Sequence, residues 1–223
     1  MTIDLMDQIG AVRREVRTGT RDGQDTKILV ATRTYDAELT DVWDALTSTE
    51  RIPRWFLPIT GELRRGGRYQ LEGNASGDIL ECEPPHRLAV TWEFGGGVSW
   101  VAVRLVAADP ERTTLELEHT AVVPDEFWPV YGPGAAGVGW DLSLLELARH
   151  LCGAVEALDP AWPTTDEGRV FMGGSSEAWG DASVAAGEDP AAARAAAGRT
   201  TEFYTTPEPE PDGAHGDPGE ATG

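Results

Sequence analysis

Basic side chains are scarce in this sequence: 18 Lys and Arg stand against 38 Asp and Glu, a formal net charge of −20. A surface of that sign repels nucleic-acid phosphates and anionic lipid, so neither is expected as a partner. Cysteine is nearly absent, with only Cys82 and Cys152 and no CxxC pair. Both fall in apolar patterns, which predicts two reduced, buried thiols rather than a disulfide or metal ligands. No run of apolar residues approaches a membrane span, and MTIDLMDQIG has neither a basic n-region nor an apolar h-region. These features together predict a cytoplasmic protein. Missing too are an internal repeat, a GxSxG elbow and a GxGxxG phosphate loop.

What is present fits a core of ordinary size in 223 residues. AVRREVRTGT and TKILVATRTY flank RDGQD and read as a β-hairpin. Thr40 then stands as an N-cap for a short amphipathic helix carrying Val42, Trp43, Ala45 and Leu46. Pro53 and Pro58 bracket Trp55 and Phe56 in a connector that forms no long regular element. From Gly67 to Val123, short strand-like runs alternate with turn signals, the pattern of an antiparallel meander. A Gly- and Pro-rich link opens a long helix over roughly 135–157, with Trp140, Leu144, Leu147 and Leu151 on one face.

The last 65 residues differ in texture, with 13 acidic and 3 basic side chains over 159–223. Two helices are predicted there, one over 166–186 with a break at Gly173-Gly174, the other from Pro190 to about Tyr204. The expected division is an α+β domain over 1–158 with one helix packed across a sheet, a helical extension packed on it over 159–206, and a disordered acidic tail over 207–223. The Ala-rich extension carries Trp179, Phe203 and Tyr204, which suit it to cover its own domain, lid a cavity or make a homodimer contact.

YDAELTDVWDALTSTERIPRWF resembles the opening of START-like, helix-grip (SRPBCC) proteins, and more narrowly the branch named after the activator of the heat-shock-protein-90 ATPase. The match continues through GGRYQLEG, GDILECEPPHRLAVTWEF, TTLELEHT and GVGWDLSLLELARHL, over about residues 27–155. The resemblance implies a curved antiparallel sheet gripping a long carboxy-terminal helix, with a cavity between them. Most of the superfamily holds apolar ligands there; aromatase/cyclases and some hydratases also catalyse reactions. The hairpin strand before residue 20 and the extension after 158 lie outside the generic domain.

Strand alternation predicts the lining of such a cavity. Leu115, Leu117 and His119 share an inner face, as do Leu88, Val90, Trp92 and Phe94, and Tyr69 with Leu71. SWVAVRLVA allows either register: Val101, Val103 and Leu105 inward, or Trp100 and Arg104. His119 is the catalytic candidate, against the alternative of a structural histidine bonded to its neighbours. No second titratable group pairs with it in the sequence. The aromatics divide between core filling and pocket lining. The expected ligand set is Trp55, Phe56, Tyr69, Leu71, Trp92, Trp100, Leu117, His119, Trp140 and Leu144. No cofactor or metal is expected. The leading expectation is a non-catalytic binder of a small apolar or aromatic molecule. The alternatives are a cyclase, dehydratase or hydrolase acting through His119, and a co-chaperone-like module for a protein partner.

Overall fold

The computed structural model describes residues 5–124 and 126–207. The amino-terminal hairpin pairs β1 (Val12–Arg21) with β2 (Gln24–Tyr35) from Arg21↔Gln24 onward. Its two-residue turn, Asp22 and Gly23, has both φ positive at 52° and 81°, which the tight turn joining twisted strands requires. A one-and-a-half-turn helix, α1 (Leu5–Gly10), precedes the hairpin.

Next comes α2 (Leu39–Thr47). Thr40 is not its cap; it sits inside the first turn. Glu38 holds the N-cap place, and its carbonyl accepts from Asp41 and Val42 N–H. The connector makes a 3-10 turn at Ile52–Arg54 and then the edge strand β3 (Ile59–Gly61). The meander follows as β4 (Arg68–Leu71), β5 (Ser76–Glu83), β6 (Arg87–Phe94), β7 (Gly97–Asp109) and β8 (Arg112–Ala121). All eight strands form one antiparallel sheet in the order β1-β2-β8-β7-β6-β5-β4-β3. The hairpin thus joins the far end of the meander.

After the short α3 (Trp128–Tyr131), the long helix α4 (Gly134–Leu151) crosses the sheet. It ends six residues earlier than its periodicity predicts. Gly153, at φ 94°, donates its N–H to His150 O, and Ala154 donates to Arg149 O. That pair of bonds is a Schellman stop, which a left-handed glycine makes cheap. Cys152 at this stop is exposed rather than buried, because the chain is leaving the core there; Cys82 is half-buried, and both thiols are free.

Helices α5 (Asp166–Ala185) and α6 (Pro190–Thr205) form an antiparallel pair. Gly173-Gly174 does not break α5; a Cβ on Gly174 would lie 2.6 Å from Ile9 Cδ1, so the glycine marks close approach to α1. Asp189 caps α6 by accepting from Ala191 and Ala192 N–H, with Pro190 in the first turn. The pair lies against α4, α1 and β1. The main core fills the space between the sheet, α4 and α5. The disorder expected of the tail concerns residues 208–223, which lie outside those described.

Candidate functional site

The concave face of the sheet collects inward side chains of the six strands β3 to β8, among them Ile59 of β3 and Ile79 and Cys82 of β5. β8 contributes Leu115 and Leu117, β7 Val101 and Val103, β6 Leu88, Val90 and Trp92, and β4 Tyr69 and Leu71. Above them α4 presents Trp140, Ser143, Leu144 and Leu147, one helical face turned towards the sheet. Trp55 and Phe56 close the end nearest the connector, their rings 5.5 Å apart and nearly parallel. Trp55 is held there by its indole N–H, which donates to Ala45 O at 3.0 Å.

These walls line a partly open cavity of about 150 Å³. Its lining is apolar almost throughout, and its few hydroxyls are already engaged. Tyr69 donates to Thr91 O at 2.8 Å, Ser143 to Gly139 O, and Thr47 to Trp43 O. Burial pushes the Tyr69 hydroxyl well above its ordinary pKa, so it stays protonated. An apolar space of this volume accepts a single-ring hydrocarbon.

Two expectations are corrected by the sheet. Trp100 pairs with Thr120 on the convex side, and the Arg21 guanidinium lies 3.9 Å from its ring centroid. Val101↔His119 and Val103↔Leu117 set the register, so Val101, Val103 and Leu105 face inward and Trp100 cannot touch the cavity. Phe94, expected inside, is 59% exposed at the last position before the Gly95-Gly96 turn, where it lines an open groove rather than the cavity.

The model of one family, described as Activator of Hsp90 ATPase homolog 1-like protein, matches residues 36–151. CalU16 from Micromonospora echinospora is 32% identical; its crystal structure covers 80% of this chain and 99% of its own at TM-score 0.63. Its solution structure covers 79% and 97% at 0.66. EF2215 from Enterococcus faecalis, described as a conserved protein of unknown function, is 17% identical and shares the fold at 0.57, over 82% of this chain and 96% of that one. No curated protein matches the sequence. The chain belongs to the Activator of Hsp90 ATPase homolog 1-like family. It has the START-like helix grip, a fold of ligand-binding type.

In this Activator-like chain His119 stands just beyond the cavity, at the end of α4 where the walls open. Trp140 Nε1–H donates to His119 Nδ1 at 3.0 Å. An indole N–H can only donate, so Nδ1 accepts and the ring proton sits on Nε2, which faces Ser99 Oγ at 2.8 Å. Ser99 in turn donates to Trp92 O at 3.2 Å. Burial lowers the His119 pKa from 6.5 to about 4, so the imidazole is neutral at ordinary pH. A ring with both nitrogens engaged and no carboxylate beside it is poorly equipped as a general acid or base.

Of the expected residues, Trp55, Phe56, Tyr69, Leu71, Trp92, Leu117, Trp140 and Leu144 meet around the one cavity. Cys82 and Ser143 also reach it and were not expected. Ser143 carried a signal, since it lies three residues after Trp140 on the same helical face. Among the described residues no group of three His, Cys, Asp or Glu side chains is placed to hold a metal ion. Nor is any described helix long and apolar enough to cross a membrane.

Proposed function

We propose that this chain binds a small apolar or aromatic molecule, without transforming it, in the cavity beneath α4. The apolar cavity between sheet and helix carries this reading. Its hydroxyls are satisfied by backbone carbonyls, and the nearest imidazole has no titratable partner. The compartment we assign is the cytoplasm, where two unpaired cysteines persist as thiols. Titration with naphthalene and with toluene, followed by tryptophan fluorescence and melting temperature, tests the binding. Occupation of the native state alone raises the melting point as saturation grows. A melting point unmoved by every such compound would overturn the reading.

One observation favours a protein partner as a second reading. Phe127, Val130 and Phe203 are exposed together, with Tyr131 between them at 5.2 Å from Phe127 and 5.8 Å from Phe203. Exposed aromatic groups of this kind are common at protein interfaces. The family description points to Hsp90 as the partner to try. ATP turnover by Hsp90 would rise when the chain is added, and less so with Phe203→Ser; no rise with the unaltered chain excludes that partner.

A further inference from the structure

The cavity adjoins a second, more open space. An open groove of about 370 Å³ runs past Phe94, Val98, Ser99, His119, Val122 and Ala136. Phe56, Trp92, Trp140 and Ser143 belong to both walls. Trp92 and Trp140 meet edge to face with ring centroids 5.1 Å apart, so this pair is the partition between cavity and groove. A cavity fitted to a single ring cannot contain a larger molecule. Such a ligand must pass between the two indoles and extend into the groove.

The chemistry of the walls narrows the ligand further. Among the described residues, no Lys, Arg, Asp or Glu lines either space. An ionised ligand would lose its hydration there and gain no counter-charge, so the occupant is neutral. Besides exposed Asn74, whose Oδ1 accepts from Ala75 N–H, and Ser143, which donates to Gly139 O, the polar side chains offered along the groove are those of the His119 chain. On one side that chain is anchored to the backbone through Ser99 and Trp92 O. On the other side His119 Nδ1 is satisfied only by Trp140, a residue of the partition itself. Moving Trp140 aside leaves a fixed acceptor without a donor, which buried polar groups do not tolerate at low cost. A hydroxyl restores the bond; a carbonyl, having no proton to give, does not. His119 follows Leu117 by two residues on the same face of β8, about 7 Å along the strand. That spacing places the acceptor roughly one fused-ring length from the cavity wall.

We propose that the ligand is a neutral aryl alcohol whose rings lie between Trp92 and Trp140 and whose hydroxyl donates to His119 Nδ1 in place of the Trp140 indole. This rests on the ligand-binding reading above and adds His119 to it as the residue that selects a hydroxyl. Calorimetric titration of the full chain with 2-naphthol and with 2-methylnaphthalene, its near-isostere lacking a donor, tests the assignment. His119→Leu weakens 2-naphthol by about fivefold or more and leaves 2-methylnaphthalene within about twofold. Trp140→Phe removes the competing donor and tightens 2-naphthol relative to 2-methylnaphthalene; this variant decides the matter if His119→Leu does not fold. Equal effects on both compounds overturn the hydroxyl anchor and leave a ligand-binding cavity standing. Failure of both compounds to bind the unaltered chain overturns the anchor, and the toluene titration then decides separately whether the cavity binds at all.

Discussion

Two adjacent faces of α4 are built in opposite ways. The face formed by Trp140, Ser143, Leu144 and Leu147 looks onto a void. About a third of a turn round the helix, Gly137, Val138, Asp141 and Leu145 are buried. A Cβ on Gly137 would come within 2.4 Å of Trp179 Cε2, so α5 sits directly on the α4 backbone. Asp141 is the polar centre of this face. Its Oδ2 accepts from Arg14 Nε at 2.8 Å on β1, and from Trp179 Nε1 at 3.1 Å and Ser175 Oγ on α5. The side chains of Arg14 and Asp141 are 6% and 0% exposed. An unfilled void of about 150 Å³ costs on the order of 3 kcal/mol in lost packing. The comparison teaches that α4 is positioned from its tight face, which leaves the other face free to stand away from the sheet. The lock itself is not a source of cheap stability, since Arg14 Nη2 and Asp141 Oδ1 find no partner. Its effect is to fix where the helix lies.

The most disruptive way to test this division is Asp141→Ala. It leaves the Arg14 guanidinium buried without a counter-charge, and a loss of about 3–5 kcal/mol is expected in urea denaturation. A loss below about 1 kcal/mol would show that α4 is not held through this pair.

Acidification reaches the loose face. The unfolded His119 binds a proton near 6.5 and the folded one near 4, so the unfolded state holds more protons between those values. Stability is therefore complete above about pH 6.5 and falls as pH drops towards 4, by about 3 kcal/mol at most. The difference in unfolding free energy between the unaltered chain and His119→Leu, followed across that interval, isolates this loss from carboxylate titration. A difference independent of pH would contradict a neutral, desolvated imidazole.

A smaller effect sharpens the contrast by packing. Gly137→Ala drives a methyl group into the Trp179 ring and should cost about 1–3 kcal/mol, read as a lowered melting point. Ser143→Ala, on the face beside the void, releases only the Ser143–Gly139 hydrogen bond and should change stability by less. Smallest in reach is Tyr69→Phe, which frees Thr91 O from its hydroxyl donor at the cavity wall. About 1 kcal/mol is expected, with the helix undisturbed in circular dichroism.

How much of this could be read beforehand depends on the range of the interaction. Strand alternation was enough for Leu115, Leu117 and His119, and for Tyr69 and Leu71, because the period of two is a local property of an extended chain. It could not choose a face for Trp100, since SWVAVRLVA offers acceptable side chains in either phase. Pairing with β8 made that choice. Nor could helical periodicity find the end of α4; the left-handed Gly153 and its two backbone bonds ended it. Nothing in the helical pattern of α4 singles out Asp141. Its partner Arg14 lies 127 positions away in the chain, and no local pattern joins them. His119 was visible as an inward imidazole, while its charge state and acceptor role depend on Trp140, Ser99 and burial.

The sequence by itself determined the order of hairpin, meander and helices, the inward rows of β4 and β8 and the aromatic character of the connector. Each of these follows from backbone periodicity or from the short-range geometry of proline and glycine. Only the tertiary structure decided that α4 stands off the sheet, that Trp92 and Trp140 divide an inner cavity from an open groove, and that His119 accepts rather than donates at Nδ1. A void, a partition and a tautomer are properties of side chains brought together from distant segments. Their free energies come from packing, desolvation and hydrogen bonding between elements, which local sequence does not encode.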